Sequence, residues 1–272
     1  MNNYKLHGGF NVDDIVDGNH LPFSLSRIPS SVYLHPTSQN FLVPQIVKHR
    51  PPGLSGIRQY TANGPFSDTQ PTFFRNYPLV NIFEDKEFFI QTDTAIIPLD
   101  NQMQGVDRLE TRIKLQDVCS IQEEESLEYR AVTKTRVLKH QNGYWTNEFS
   151  LTMPAIGIAD ASKSDYNPSF AVLQRRDTLG VLTIYQTNPL TGKFEPKHHT
   201  VPAPTGTMVR VEEHLAYPIV NGVAFYDIDK ARAEILPVDG IQPKNVSISQ
   251  DKMVVTGKKK KGIQIALIYV RI

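Results

Sequence analysis

From about residue 81 onward the chain is written in short apolar runs separated by turn residues. Residues 87–91, 95–99, 144–151, 170–173, 181–186, 208–212, 222–228, 246–249 and 252–256 each have the length and β-branched or aromatic content of a strand. The pairs Asn142-Gly143, Asn188-Pro189, Thr191-Gly192, Asn221-Gly222, Asp239-Gly240 and Gln250-Asp251 punctuate them with residues that tolerate tight turns. Residues 109–116 alternate apolar with polar, which predicts a half-buried strand, and residues 129–137 do so more loosely. The acidic stretch 122–126 between them is expected to be a solvated hairpin tip. No segment holds a helical period for three turns; residues 229–234 suffice for one short turn.

Three of the runs are headed by glycine at a nearly constant interval. Gly180, Gly222 and Gly262 each introduce an apolar segment that ends in an aromatic residue, and their separations are 42 (222 − 180) and 40 (262 − 222). A repeat of this size carried by short strands is what stacked or radially arranged sheet units produce. Gly143-Tyr144-Trp145 stands 37 residues before Gly180 (180 − 143), and residues 94–100 lie about one period earlier again. Residues 81–272 are thus expected to form an all-β domain, a propeller-like array of about five blade-type units. The last unit, residues 246–270, shows three strands, so closure would borrow a fourth from the start of the domain, near 81–83 or 88–91. A β-sandwich or a barrel with a long hairpin is the alternative.

Residues 1–80 have another character. They hold nine of the nineteen prolines, little charge and many rings. Proline fixes φ and removes a backbone donor, so neither helix nor long strand is expected. A solvated linker would be charged and poor in aromatics. The prediction is an extended arm whose rings bury against its own β domain or against a neighbouring subunit. The candidate contact residues are Tyr4, Phe10, Phe23, Tyr33, Phe41, Tyr60, Phe66, Phe73, Phe74 and Tyr77.

Charge and cysteine narrow the picture. The net charge is +1, with both signs dispersed, which calls for neither a polyanionic nor a polycationic partner. Cys119 is the only cysteine, so no intrachain disulfide forms. The first nine residues lack an apolar signal core, and no apolar run approaches the roughly 20 residues of a membrane helix. A virion or cytoplasmic protein without a signal peptide, and without a membrane partner, is expected.

Candidate chemistry is sparse. His198 and His199 are adjacent and point to opposite faces of a strand, and no further ligand stands at metal spacing. Asp13, Asp14 and Asp17 look like part of a calcium loop, but Ile15 and Ser24 occupy positions that need oxygen ligands. Gly53-Leu54-Ser55-Gly56 is one residue short of a nucleophile elbow, and no phosphate loop is present. Asp93, Asp160, Asp165, Glu212 and Glu213 are the carboxylates to test for paired acid–base chemistry on an axis. Lys258, Lys259, Lys260 and Lys261 form the sharpest charge feature. The absence of interleaved aromatics makes them a soluble turn before a nucleic-acid contact. No catalytic, metal or cofactor residue is assigned.

An aromatic-ended strand, a polar turn and a return strand, as at 184–194 and 225–236, resemble the outer hairpin of a β-propeller blade, as found in phage tail and other virion structural proteins. The resemblance implies a non-enzymatic structural protein of a large assembly, such as a phage tail, collar or capsid-associated component. Its partners would be copies of itself and other subunits. A carbohydrate-binding or carbohydrate-cleaving propeller, for which only Trp145 offers an indole, and an intracellular propeller scaffold are the alternatives.

Overall fold

Each run of turn-punctuated apolar sequence becomes an antiparallel strand, and successive groups of four become sheets. The computed structural model describes residues 4–12, 31–38, 40–45, 56–60, 72–73, 80–123, 126–164, 167–259 and 262–272. The first sheet holds β2 (Tyr33–Leu34), β3 (Phe41–Gln45), β4 (Gly56–Tyr60) and β5 (Thr72–Phe73); the second β6 (Asn81–Glu84), β7 (Phe88–Gln91), β8 (Ala95–Leu99) and β9 (Leu109–Glu110). The third holds β10 (Asp117–Glu123), β11 (Ser126–Val132), β12 (Arg136–Gln141) and β13 (Tyr144–Ser150). The fourth is β14 (Ala155–Asp160), β15 (Ser169–Arg176), β16 (Leu179–Thr187) and β17 (Phe194–Pro202); the fifth is β18 (Val209–Val211), β19 (His214–Ile219), β20 (Gly222–Asp227) and β21 (Arg232–Pro237). The sixth joins β22 (Gln242–Ser249), β23 (Lys252–Lys258) and β24 (Gln264–Arg271) to β1 (Tyr4–Asn11) from the other end of the chain.

Six apolar clusters stand between these sheets, one at each junction. Tyr33 and Leu42 of the first sheet meet Ile82, Phe88 and Ile90 of the second. Phe83 and Phe89 meet Val118 and Leu138; Cys119 and Val132 meet Phe170 and Val172; Ala171 and Leu182 meet Leu215 and Tyr217. Val223 and Phe225 meet Met253 and Val255, and Val254 and Ala266 close back onto Leu34 and Val43. A strand in such a ring faces apolar neighbours on both sides: on β15, Phe170 and Val172 serve one junction while Ala171 and Leu173 serve the next. Its sequence is therefore a continuous apolar run instead of an alternation.

Residues 81–272 carry five sheets in succession, as the repeat predicts, and the last of them completes itself with β1. The glycine-headed segments fall on β16, β20 and β24, the third strand outward in each of three sheets. The glycines are there for two reasons. A Cβ on Gly180 would stand 2.7 Å from the Pro202 carbonyl oxygen, and one on Gly222 would stand 2.4 Å from that of Leu236, so the fourth strand approaches too closely for a side chain. Gly262 instead turns the chain at φ +82°.

Several expectations need correction. The closing strand is not residues 81–83 or 88–91, which form β6 and β7 of their own sheet; it is β1, seven of whose residues pair with β24 from Tyr4↔Arg271 to Asn11↔Ile265. The described part of residues 1–80 supplies that strand and a whole sheet, so it does not run as an arm alone. Its prolines fit because its strands are short and broken, with Pro44 paired at the end of β3. Gly143-Tyr144-Trp145 heads a fourth strand, not a third, since β12 begins at Arg136. Residues 111–116 do not continue β9; they form the link to β10, where Leu109 and Leu115 turn inward at either end and mimic a strand's alternation. The acidic stretch does stand at a hairpin, with Glu123 paired to Ser126, but the strand before it is β10 and not residues 109–116; Glu124 and Glu125 lie outside the described residues.

Candidate functional site

The innermost strand of each sheet has one edge with no strand beside it, and its amides need other partners. Side chains from other sheets supply several of them. Asp117, at the start of β10, accepts the amides of Val118 and Ile158, each at 3.0 Å. Asp85, in the turn after β6, reaches across to accept Asp160 N at 3.0 Å and Arg210 N at 3.3 Å. Ser247 donates to Glu84 at 2.8 Å and accepts Leu34 N at 2.8 Å. Two aspartates, a glutamate and a serine thus tie all six inner strands together.

These groups are deeply buried, and that sets their protonation. Burial pushes Glu84 and Asp117 well above the usual carboxylate range, against the bonds that favour their charged forms. Asp85 is pushed up to about 7 by burial and by the charge of Asp160. Lys86, half exposed, pairs with the buried Asp160 carboxylate at the solvent side of the cluster.

Those of the carboxylates named for acid–base chemistry that lie among the described residues do not converge. Asp160 joins the axial cluster, Asp93 is exposed in the turn before β8, and Asp165 lies outside the described residues. Glu212 is bound to Arg271 at 2.8 Å, and Glu213 is on Arg210 at 3.4 Å. Sequence reading missed Glu84, Asp85 and Asp117; the one signal was three acidic residues in four, Glu84-Asp85-Lys86-Glu87, placed where an inner strand turns. His198 meets Thr183 at 3.0 Å while His199 packs on Tyr226, on opposite faces of β17. Among the described residues no three His, Cys, Asp or Glu side chains gather as a metal site. Cys119 is buried in the junction between the third and fourth sheets, which raises its thiol pKa.

The arm's candidate rings divide in two. Tyr4 stacks on Phe225, Phe10 and Phe41 meet edge to face, and Tyr33 meets Phe88 in the same way. These four bury within the chain's own ring, not a neighbour, because their strands complete it. Tyr60 and Phe73 lie on β4 and β5. Phe23, Phe66, Phe74 and Tyr77 lie outside the described residues, as do Lys260 and Lys261.

An open concave surface lies on the other face of the ring from the Asp85 turn. That face carries the turns between second and third strands and the links between sheets. Between the fifth and sixth sheets it forms a groove of about 1010 Å³, walled by the β19–β20 turn, the β21–β22 link and the β23–β24 turn. Val238 and Ile241 make its floor, and Val220 and Ile263, 48 % and 38 % exposed, stand on its rim. The walls are fixed by backbone bonds, Val238 N to Asn221 O at 3.0 Å and Lys259 N to Ile263 O at 2.9 Å. Gly240 and Gly262, at φ +80° and +82°, set the two bends. A second compartment of about 570 Å³ shares Asp239, Gly240, Ile241 and Lys259 with the first and runs on to Leu6 and Phe10 of β1.

Six sheets closed by a strand from the opposite chain end decide the architecture. The chain is a β-propeller by fold. It is similar to a chain of the BBS1N–ARL6DN complex, with 12 % identity, a TM-score of 0.54, and coverage of 99 % of this chain and 97 % of that one. It is similar to the Pan2 WD40 domain of Neurospora crassa, at 9 % identity and a TM-score of 0.53 over 98 % and 95 % of the two chains. Regucalcin of Agrobacterium tumefaciens, a calcium-binding protein, matches at 14 % identity and 0.54, again over 98 % and 95 %. At these identities the propellers share a fold alone. No family model and no curated protein matches the sequence.

Proposed function

We propose that this propeller is a non-catalytic binding module that holds another protein in the groove between its fifth and sixth sheets. The observation that carries the reading is the exposure of Val220 and Ile263 on the rim of an apolar trough whose walls are already hydrogen-bonded. Apolar side chains gathered on a preformed concave surface favour association with a partner over solvation. The non-catalytic part rests on Asp85 and Asp117, each of which gives both oxygens to backbone amides, with Asp160 paired to Lys86 and Glu84 buried against Ser247. A general acid or base needs an oxygen free for substrate.

The comparisons fit a protein-binding propeller, since one similar chain comes from a complex between two proteins. Placement in a virion gains no support from them. Partners that are copies of this chain remain part of the reading, and sedimentation of the purified protein distinguishes self-association from binding of another protein. The test is affinity isolation from the native source with wild type, Val220→Asp plus Ile263→Asp, and Asp160→Asn. Partner recovery is expected to fall at least tenfold only in the groove variant. Equal recovery from all three would refute the reading.

A further inference from the structure

Resting on that reading of the groove, we propose that its occupant is an acidic peptide segment with an aliphatic anchor. Shape comes first. The two compartments, about 1010 and 570 Å³, share the wall formed by Asp239, Gly240, Ile241 and Lys259, so together they run from the β19–β20 turn to β1. That form fits an extended segment better than a compact small molecule. Leu6, at 53 % exposure, extends the line of exposed apolar side chains begun by Val220 and Ile263. Alternate side chains of an extended segment dip into such pockets while their neighbours stay at the rim.

Charge gives the second half. Lys258 and Lys259 stand exposed at the end of β23, on the wall of the larger compartment. Among the described residues Asp239 is the only acidic one on the walls of either compartment. Apolar floor and lysine rim together select an anchor flanked by Asp or Glu. Nucleic acid meets the lysines but not the floor: the larger compartment presents aliphatic side chains and no ring on which a base would stack.

The full chain should be panned against a displayed random-peptide library, and enriched sequences measured by fluorescence anisotropy, with a single-stranded RNA oligonucleotide alongside. Enriched peptides are expected to carry net negative charge around a Leu, Ile or Val. Lys258→Glu with Lys259→Glu should weaken them about tenfold, since two rim charges of this kind contribute on the order of 1.4 kcal/mol together. Binding should fall as salt rises. Val220→Asp with Ile263→Asp should also abolish binding; these side chains are exposed, so thermal melting should be unchanged. If the enriched peptides are neutral or basic, or the lysine variant binds as well as wild type while the apolar variant does not, the acidic partner is refuted and the groove reading survives. If neither variant matters, or nothing is enriched, both fail. Tight RNA binding lost with the lysines would overturn the proposal in favour of phosphate recognition.

Discussion

Asp85→Asn should change the stability of this propeller with opposite sign at low and high pH. In the fold Asp85 titrates near 7 against the ordinary 3.8, because burial and the charge of Asp160 disfavour its ionised form. The native state therefore holds a proton that the unfolded chain has released between those two values. That contribution to stability is present below pH 3.8 and is lost as pH rises through 7. Between pH 5 and pH 9 the wild type should lose on the order of 3 kcal/mol from this group. Asparagine does not titrate. It retains one acceptor where the carboxylate has two, so it leaves one of the amides of Asp160 and Arg210 facing an N–H donor. An unpaired buried donor costs about 1–3 kcal/mol at any pH. The variant is thus expected to be less stable than wild type by about 1–3 kcal/mol at pH 5, and equal to it or more stable at pH 9. Urea unfolding of both proteins at the two pH values measures this, and groups common to both cancel in the difference. A stability difference that is the same at pH 5 and pH 9 would show that Asp85 is ionised in the fold throughout, and the account of the axial cluster would fall.

Other outcomes follow from the same contacts. A fragment of residues 81–272 lacks β1 and the first sheet and exposes both junctions that sheet fills; it is expected to show no cooperative thermal transition by circular dichroism, whereas a sharp melt would mean the remaining five sheets close by themselves. Gly222→Ala puts a methyl 2.4 Å from the Leu236 carbonyl oxygen and should cost about 1–3 kcal/mol in urea unfolding; an unchanged midpoint would refute the close-approach explanation of the repeat glycines. Arg130 is fully buried between Phe170 and Phe194 and pairs with Glu123, Glu128 and Glu148. Arg130→Met takes the cation from Glu123 and Glu148, leaving Glu128 to Lys139, and should destabilise by about 3–5 kcal/mol, with much of the loss recovered at acid pH where the carboxylates are protonated; a melt that is equally lowered at all pH values would point to lost packing instead.

Much of the ring was legible because its signal is local. Turn pairs such as Asn142-Gly143 and Gln250-Asp251 sit between paired strands, and the 42- and 40-residue glycine intervals mark equivalent strands. What escaped was set by distant partners. Tyr4 to Asn11 contains two glycines and a lysine and has little strand character; it is a strand because β24 offers an edge. The regular alternation of 109–116 misled for the converse reason: strands buried on both faces lose alternation, and a link that tucks in at both ends acquires it. The groove was invisible because its parts, Val220, Val238 and Ile263, come from three turns that each look ordinary alone. The axial cluster was hidden likewise, since Asp85 meets its amides 75 and 125 residues away.

The pairing of Tyr4 with Arg271 also fixes an order of events when the chain is made. Hairpins of the middle sheets join residues close in sequence and form early, as local contacts do. β1 is made before every other strand of the ring and is seated last, because its partner emerges 267 residues later (271 − 4). Until then the sixth sheet has only three strands to offer, the edge of β24 is open, and Phe10 and Tyr4 are without the rings they pack on. An open edge beside unburied aromatics is the form in which chains join one another. The nascent propeller is thus most exposed to misassembly just before its last strand pairs, and a circular permutant that carries β1 directly after β24 should shorten that interval and raise the yield of soluble protein.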